Sequence, residues 1–517
     1  MSRRKIGIDF GTTNSSIAYV DGEGKPVCFP ICGAMYVPTS LAIDGKDRDF
    51  GSHANTVHIR DPLIPYYDRF KLDLLRGMNV TLDDELRTPL DLTKMYLELL
   101  LDAYRDDNPT EFKKNRKFDC IVLALPQATY DSQTADNKEL KKQLISFLQQ
   151  HSETVHLASE PECACFYYVN SFPKLEDSPN EVLVVDCGGG TIDLALCQIS
   201  KRTDGFDVKV PKSCGTSVAG MNKDNLGESG VAFDHDVARW IIGSGASNQP
   251  ERVVADWFGE SRVIKSSHVN KMLEAGFDQD WYYDDEDAFS FKAAREPLSV
   301  PYQEMNKVFT KGVGKHLDRY INSILGKGKD RSVTPGFMIL PTGGFSQFYC
   351  VERAIVKAAD GTGLKSDKII AKVDNFVYSV VLGAALKAEQ GDIDRAASQI
   401  SIGIKTYDGL HSDTLTLIEM GHMIKDETEK KGPFYVDSGK TISLQFSQQG
   451  REPKIYSVDV SKVIKGSTLV FLSVSYEKGY QLNVIDSDGK RIGAIDLHKE
   501  VASYARRVDT GSDDQGG

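Results

Sequence analysis

The amino-acid sequence predicts an α/β protein that ends in an all-β domain. Two observations predict the α/β part: an apolar strand, an acidic-glycine turn and a second apolar strand occur near residue 9 and again near residue 186, and helix-rich, charged stretches follow. A third predicts the all-β part, because short apolar runs separated by turn signals such as YDG and DSDG fill residues 398–500. A chain of 517 residues has room for about three domains.

Composition narrows the class of protein. The chain has 62 Lys and Arg against 74 Asp and Glu, a net charge of −12, and 40% hydrophobic residues. This hydrophobic content is typical of a globular protein and excludes general disorder, and the acidic balance argues against nucleic acid or an anionic membrane as the main partner. No apolar run approaches the roughly 20 residues that span a bilayer, and strand-like sequence begins too early for a signal peptide. Nine scattered cysteines without a CxxC pair favour free thiols, so we expect a cytoplasmic protein.

The first element that carries chemistry is the repeated turn. The first copy, IGIDFGTTNSSIAYV, contains Asp9, and the second, VLVVDCGGGTIDLALC, contains Asp186. Either aspartate alone could be a loop residue that accepts backbone N–H bonds. Two copies, each with glycines that let the backbone approach a ligand, a threonine donor and a hard carboxylate ligand, favour a two-sided clamp for a metal–polyphosphate. The chain contains no Walker A loop and no dinucleotide-type GxGxxG turn.

These residues resemble a known superfamily. IGIDFGTTNS, VLVVDCGGGTIDLALC and LPTGGFSQF are similar to the two phosphate motifs and the adenosine motif of the actin, sugar-kinase and heat-shock ATPases. Together with LASEPECACFYYV and VVLGAALKAE, which resemble the connecting helices, they look most like the seventy-kilodalton (DnaK-type) heat-shock chaperones. The resemblance spans about residues 5–390. It implies a two-lobed actin-like fold, which is a duplicated ribonuclease H-like fold, followed by a β-sandwich-like domain.

The resemblance also implies a domain plan. Residues 1–390 would form the nucleotide-binding domain, with lobe I at about 1–180, lobe II at about 181–370 and a connecting helix at 371–390. A linker at 391–399 would lead to a β-rich, substrate-binding-like domain at 400–500, and 501–517 would be a flexible tail. Because only this tail follows the β-domain, we expect no helical lid over it.

The implied ligands are ATP or ADP and Mg²⁺. Asp9 and Asp186 would hold the water shell of the metal. The residues implied for the phosphates are Gly11, Thr12, Thr13, Asn14, Gly188, Gly189, Gly190 and Thr191.

The resemblance implies four catalytic residues, which are Lys71, Glu160, Asp193 and Thr191. Glu160 would orient the attacking water, Asp193 would help to hold the metal or that water, and Lys71 would balance charge on the transferred phosphoryl group. Glu160, Asp193 and Lys71 each have a plainer interpretation from the residues alone. Glu160 precedes Pro161 and could simply start a helix, Asp193 could be a solvated strand-end residue, and a single lysine is usually exposed.

The adenosine motif departs from the family pattern. The family has Gly-Gly-Ser-x-Arg, with the arginine stacked on adenine, whereas this chain has Gly343-Gly344-Phe345-Ser346-Gln347, and a glutamine makes no cation–π contact. The glycine pair could equally form a plain strand-to-helix turn. The other adenosine contacts implied, from WFGESRVIKSS, are Glu260 and Lys265. We therefore expect diverged base contacts, with Gly343, Gly344, Phe345 and Gln347 at the nucleotide.

Three functions follow from the resemblance. The first is an ATPase-coupled chaperone that acts on unfolded or extended peptide segments, with co-chaperones as further partners. The second is a nucleotide-sensing adaptor with little ATPase activity, which docks one specific protein. The third is a small-molecule kinase of the same superfamily, against which the β-rich C-terminus counts.

Overall fold

The computed structural model describes most of the chain. The residues described are 3–77, 87–172, 179–202, 205–216, 226–261, 288–292, 297–326, 333–371, 376–390, 400–407, 412–418, 430–436, 441–447, 452–476 and 480–505. They divide into two compact units, one made of residues 1–132 with 158–389 and the other of 133–157 with 390–517. The segment 133–157, which lies inside the predicted first lobe, therefore belongs with the C-terminal residues.

Residues 3–170, called the first half below, begin with a sheet and its helices. Residues 133–157 within this range belong to the second unit. The elements are β1 (Lys5–Asp9), β2 (Asn14–Val20), β3 (Pro26–Phe29), β4 (Val37–Pro38), β5 (Leu41–Asp44), β6 (Asp47–Phe50), α1 (Gly51–Arg60), β7 (Tyr66–Tyr67), α2 (Phe70–Arg76), α3 (Pro89–Asp106), β8 (Phe118–Leu125), α4 (Gln127–Asp131), α5 (Ala135–His151), β9 (Ser152–Ser159) and α6 (Glu160–Asn170). The start of α3 shows how local sequence sets a boundary, since Thr88 and Asp91 form a reciprocal capping box around Pro89.

Residues 179–390, called the second half below, are richer in helix. Its elements are β10 (Glu181–Cys187), β11 (Ile192–Arg202), β12 (Gly205–Gly215), α7 (Gly230–Gly243), α8 (251–261, as far as it is described), β13 (Ala288–Lys292), β14 (Pro297–Pro301), α9 (Tyr302–Lys311), α10 (Val313–Leu325), β15 (Phe337–Thr342), α11 (Tyr349–Asp360), α12 (Ser366–Ile369) and α13 (Ser379–Gln390).

The strands of the first unit repeat one topology. In the first half, β1 pairs antiparallel with β2, β2 pairs antiparallel with β3, and β1 pairs parallel with β8. In the second half, β10, β11, β12 and β15 pair with the same order and the same senses. The sequence repeat is thus a repeat of structure. In each half the turn between the first two strands leaves the edge of the sheet at the equivalent position.

Two helices join the halves through close backbone contact. A Cβ at Gly383 of α13 would overlap the carbonyl oxygen of Cys163 in α6, and a Cβ at Gly7 of β1 would overlap the backbone of Ala384 and Ala385. Glycine at both points lets α13 lie directly against α6 and β1. The predicted connecting helix at 371–390 is shorter than expected, because the helix begins at Ser379 after a 3₁₀ turn at Phe376–Tyr378.

The C-terminal residues of the second unit form two sheets. The elements are β16 (Ser401–Tyr407), β17 (Ser412–Ile418), β18 (Lys431–Val436), β19 (Thr441–Ser447), β20 (Lys454–Asp459), β21 (Thr468–Tyr476), β22 (Tyr480–Ile485), β23 (Arg491–Asp496) and α14 (His498–Ala505). The sheet orders are β17-β16-β19-β20 and β18-β21-β22-β23, and both sheets contribute to one apolar core.

The predicted mixture of α/β and all-β parts is confirmed. The expectation of a flexible tail from residue 501 is wrong for its first residues, since α14 runs to Ala505 with Tyr504 buried in the core. The predicted linker at 391–399 and the rest of the tail lie outside the described residues. Within the described part of the chain, no helix is both long enough and apolar enough to cross a membrane.

Candidate functional site

The first turn is shaped by a glycine and held by a threonine. β1 ends at Asp9 and β2 begins at Asn14, and a Cβ at Gly11 would overlap the carbonyl oxygen of Asn14. The buried hydroxyl of Thr39 donates to the carbonyl oxygen of Gly11 at 2.8 Å, and its backbone N–H donates to the carbonyl oxygen of Thr13 at 2.8 Å. Thr12 is buried, whereas Thr13 and Asn14 are exposed.

The second turn is held in a parallel way. Ser229, at the start of α7, donates its hydroxyl proton to the carbonyl oxygen of Gly188 at 2.7 Å. The backbone N–H groups of Glu228 and Val231 donate to the carbonyl oxygens of Gly190 and Gly189 at 3.0 and 2.7 Å. A hydroxyl therefore binds the carbonyl two residues after the aspartate in both turns, from Thr39 in one and Ser229 in the other.

Sequence reasoning missed Thr39 and Ser229. Each lies tens of residues from its turn, and nothing local in VPTS or LGESG announces the contact. The only available signal was the repeat itself, because two turns of equal shape need equal support.

The two turns touch each other. A Cβ at Gly189 would overlap the side-chain oxygen of Thr13, and a Cβ at Gly190 would lie 2.8 Å from Thr12 Cγ2 and 2.7 Å from Leu72 Cδ2. These glycines therefore face the first turn and the helix α2, with no side chain between. The tertiary structure brings together the repeated motifs that the sequence places a domain's length apart.

Lys71 and Glu160 form a buried ion pair beside the turns. Lys71 Nζ lies 2.9 Å from Glu160 Oε1, and the two side chains are 5% and 7% exposed. In α2, the residues on either side of Lys71, Phe70 and Leu72, are buried. In α6, the side chain of Ser159 caps the helix by accepting from the N–H of Glu162 at 3.2 Å, and Pro161 lies in the first turn. Glu160 does start a helix, as its plainer interpretation expected, and it also faces Lys71. Lys71 is not the exposed lysine that its plainer interpretation expected.

The charges of this ion pair act on three further carboxyl groups, those of Asp9, Asp186 and Asp193. Burial first, and then the charge of Glu160, raise the pKa of Asp9 to about 7 against the opposing charge of Lys71. Burial and Glu160 likewise raise the pKa of Asp193 to about 7, although Thr191 and Lys71 oppose the rise. Asp193 lies opposite Asp186 in the sheet register and is buried, so it is not a solvated strand-end residue.

The remaining two members of the cluster follow the same logic. Burial, Glu160, Asp193 and Asp9 together raise the pKa of Asp186 well above its usual value. Burial alone would lower the pKa of Lys71, but the charges of Glu160 and Asp9 outweigh burial and raise it. Four carboxyl groups, of which three are buried and Asp9 is half-buried, thus share a site with one ammonium group, and this excess of acid favours a bound cation.

The donor set fits a hydrated magnesium ion better than a closed metal cage. No group of three or more His, Cys, Asp or Glu side chains among the described residues is arranged to ligate a metal ion directly. Mg²⁺ usually keeps several waters and takes one or two carboxylates together with phosphate oxygens. Asp9 and Asp186, at equivalent strand ends in the two halves, are the residues that fit this outer role.

The segment after β15 approaches Asp186. Gly343 has φ +83°, a left-handed conformation that favours glycine, and a Cβ there would overlap Asp186 Oδ1. Gly344 is exposed with open space around it, and Gln347 donates to its carbonyl oxygen at 3.3 Å. The bare backbone expected of an adenosine motif and the strand-to-helix turn of the plainer interpretation are therefore both present next to Asp186.

Phe345 lies in the core instead of at an open surface. It is 2% exposed, stacks on Phe348 at a centroid distance of 5.7 Å, and packs against Phe233 at 5.7 Å. The structure gives its ring a packing role in the second half. Glu260 is exposed near the end of the described part of α8, and Lys265 lies outside the described residues.

The nine cysteines are free thiols, as the sequence predicted. Cys163 and Cys165 are buried in α6, which agrees with a structural role in packing. A scan of the chain against protein-family models finds no match.

Proposed function

We propose that this chain is a heat-shock-type ATPase that acts as a molecular chaperone on unfolded or extended segments of other proteins. The observation that carries the proposal is the meeting of two equivalent strand–turn–strand units at a cluster of the buried Lys71 and four carboxyl groups, three of them buried. Two glycine turns face each other there, each with backbone groups near its surface. This arrangement supports binding of a triphosphate from both sides.

The roles of the residues follow from their chemistry. The backbones of Gly188 and Gly189 and the hydroxyl of Thr13 would bind phosphate oxygens, because they are partly or fully open at the turns. Lys71 would stabilise charge on the transferred phosphoryl group. Mg²⁺, when bound, would neutralise phosphate charge, with Asp9 and Asp186 holding its water shell.

Hydrolysis needs a water held in line with the terminal phosphate. The Glu160 carboxylate, kept in place by Lys71, is the group that would orient this water, and Asp193 would accept a hydrogen bond from it. The water oxygen bonds to phosphorus, the bond to the leaving oxygen of ADP breaks, and the water proton passes to the released phosphate. Positioning without a strong base predicts slow turnover.

The C-terminal sheets would carry the client. Strand β18 and strand β21 place Tyr435 opposite Leu469, and both side chains remain exposed. Exposed apolar side chains on a sheet suit extended, apolar segments of other proteins.

A nucleotide-sensing adaptor is the second candidate. The observation that favours it is the burial of Phe345 and Ser346, which leaves the half-buried Gln347 beside them, and a glutamine provides no cation for a base. An adaptor would bind nucleotide with little hydrolysis and dock one partner. A small-molecule kinase remains the third alternative, and the two C-terminal sheets give it no support.

Calorimetry tests the nucleotide site. Purified protein is titrated with ATP, ADP and GTP in the presence of Mg²⁺, beside the variants Asp186→Ala and Asp47→Ala. We expect Asp186→Ala to lose nucleotide binding and Asp47→Ala, which changes an exposed acid on β6, to keep it. Wild-type affinity in Asp186→Ala would show that the site is wrongly assigned.

Turnover and client release separate the candidates. A chaperone hydrolyses ATP and releases a fluorescent unfolded peptide when ATP is added. An adaptor binds ATP, turns it over poorly, and recovers one dominant protein in a pull-down. Phosphorylation of a sugar by the purified protein would instead support the kinase.

A further inference from the structure

The segment that leads into Lys71 is tied to the second half of the first unit by a chain of polar contacts. Arg69 is the residue before α2, and its carbonyl oxygen accepts from the N–H groups of Leu72 and Asp73 at 2.9 and 3.2 Å. Its side chain reaches out of the first half, where Nη2 lies 3.1 Å from Nε2 of His235 in α7. The other ring nitrogen of His235, Nδ1, lies 2.6 Å from Glu251 Oε1 in α8.

The chemistry of these groups decides which nitrogen of the imidazole carries the hydrogen. A guanidinium group only donates hydrogen bonds, so Nε2 of His235 must be the acceptor from Arg69. Nδ1 then carries the proton and donates to the carboxylate of Glu251. The buried ring of His235 therefore links Arg69, on one side, to Glu251 of α8 on the other.

Two further contacts support this series of polar contacts. Arg239 of α7 also binds Glu251, with Nη2 3.1 Å from Oε1. Arg252 of α8 binds Asp68, the neighbour of Arg69, with Nη2 2.7 Å from Oδ2. Burial tends to raise the pKa of Glu251, but its hydrogen bonds to His235 and Arg239 outweigh burial and lower it. Glu251 is thus the shared anion of the chain.

Lys71 interacts with carboxyl groups from both halves, so its position depends on both. Glu160 and Asp9 come from the first half, but Asp186 and Asp193 come from the second. Phe70 and Leu72 anchor α2 by burial of their side chains, and Leu72 also lies close to Gly190 of the second turn. The contact of Arg69 with His235 ties the start of this short helix to α7 in the other half.

We propose that His235 is a positioning residue for Lys71. Through Arg69 it sets where Lys71 stands relative to Asp193 and Asp186 when the two halves close on a nucleotide. This role rests on the proposed ATPase function. It does not require His235 to touch the nucleotide.

The substitution that tests the role is His235→Leu, with His235→Gln as its conservative partner. Leucine removes both hydrogen bonds, whereas the amide of glutamine offers an oxygen to Arg69 and an N–H to Glu251. We expect kcat to fall about tenfold in His235→Leu with KM for ATP within about twofold, and kcat in His235→Gln to stay within about threefold of wild type. The control is His53→Leu, which removes an exposed histidine bound to Asp49 and should leave both constants unchanged.

Arg69→Gln keeps the test sharp if His235→Leu fails to fold. It should lower kcat to a similar extent, and Arg69→Gln combined with His235→Gln should be no worse than Arg69→Gln alone, because both act through one contact. The proposal is overturned if His235→Leu and Arg69→Gln both keep the wild-type kcat, or if His235→Gln is as impaired as His235→Leu.

Amide hydrogen exchange separates this role from the proposed function. The backbone amides of residues 66–77 should exchange faster in His235→Leu than in the wild type and in His235→Gln. If the wild type hydrolyses no ATP, the proposed function fails while exchange still decides whether His235 holds this segment. Equal exchange in all three proteins would overturn the positioning role even if ATP is hydrolysed.

Discussion

Lys71 and Glu160 lie 89 positions apart in the chain and 2.9 Å apart in the structure, with both side chains buried. Burying a charge is costly unless it is paired, and here the pairing is crowded by three further carboxyl groups. The pair is therefore both a structural support and the chemical centre of the candidate site.

Removal of Lys71 should cost more stability than removal of the Glu160 charge. Lys71→Met leaves four acids without a cation, whereas Glu160→Gln leaves Lys71 beside Asp9 and Asp193. We expect Lys71→Met to lower the free energy of unfolding by about 3–5 kcal/mol at pH 8, and Glu160→Gln to lower it less. The loss in Lys71→Met should shrink near pH 5, where the carboxyl groups take up protons.

Urea denaturation at both pH values measures these differences, with the exposed Lys46→Met as the control that should change little. In the ATPase assay, Glu160→Gln should bind nucleotide and turn it over about a hundredfold more slowly. Equal losses of stability for the two variants would contradict the charge argument.

The glycines of the second turn should separate packing from ligand binding. A Cβ at Gly189 would overlap Thr13, whereas the nearest atom to a Cβ at Gly188 is the carbonyl oxygen of Thr191 at 3.7 Å. Gly189→Ala should therefore destabilise the free protein by about 1–3 kcal/mol, and Gly188→Ala should leave its thermal unfolding unchanged. If the second turn binds phosphate, Gly188→Ala should still weaken ATP binding in calorimetry. Unchanged affinity in Gly188→Ala would argue against a phosphate at this backbone.

The response to magnesium should depend on pH. Because burial raises the pKa of Asp9 and Asp193 to about 7, both groups are largely protonated at pH 6 and ionised at pH 8. A pKa that is higher in the folded state than in the unfolded state favours folding below it, so ionisation of these groups lowers stability as pH rises from about 4 through 7. A bound cation favours the ionised forms and reverses this loss.

We therefore expect Mg²⁺ with ADP to raise the unfolding temperature more at pH 8 than at pH 6. Differential scanning fluorimetry at the two pH values measures the shift, with nucleotide in excess. In Asp193→Asn the free protein should lose less stability between pH 6 and pH 8. A magnesium effect independent of pH would show that these acids do not face the cation.

The crossing of α6 and α13 should be intolerant of a side chain at Gly383. A Cβ there would overlap the backbone carbonyl of Cys163, and backbone cannot move aside as a flexible side chain can. We expect Gly383→Ala to lower the free energy of unfolding by about 1–3 kcal/mol. Gly22→Ala, which meets no atom within 4 Å, is the matched control. Equal stability of the two variants in urea would show that the helices can separate without cost.

A second contact at the same crossing can be compared. Lys387 Nζ lies 2.9 Å from Glu162 Oε1, with both side chains buried. Nothing in the sequence of either helix alone indicated that these two residues would pair.

The repeat of strand, turn and strand was readable without a structure, because apolar alternation and glycine placement are local properties. It predicted the strands that follow β1 and β10 and the turns at Gly11 and Gly188, whereas the parallel partners β8 and β15 came from the structure alone. The C-terminal β-rich region was readable for the same reason. The limits of α13 and the helix α14 in the predicted tail were not, because packing against distant residues decides where such short segments end.

The candidate site shows the same difference between local properties and tertiary packing. The sequence by itself determined which residues carry acid, amine and bare backbone at Asp9, Lys71, Glu160 and Asp186. Only the tertiary structure decided that Lys71 is buried against Glu160, that Phe345 is a core residue, and that Thr39 and Ser229 hold equivalent carbonyls. Charge and glycine content are properties of a residue, whereas burial, pKa and pairing arise from atoms that the chain brings together across a hundred positions.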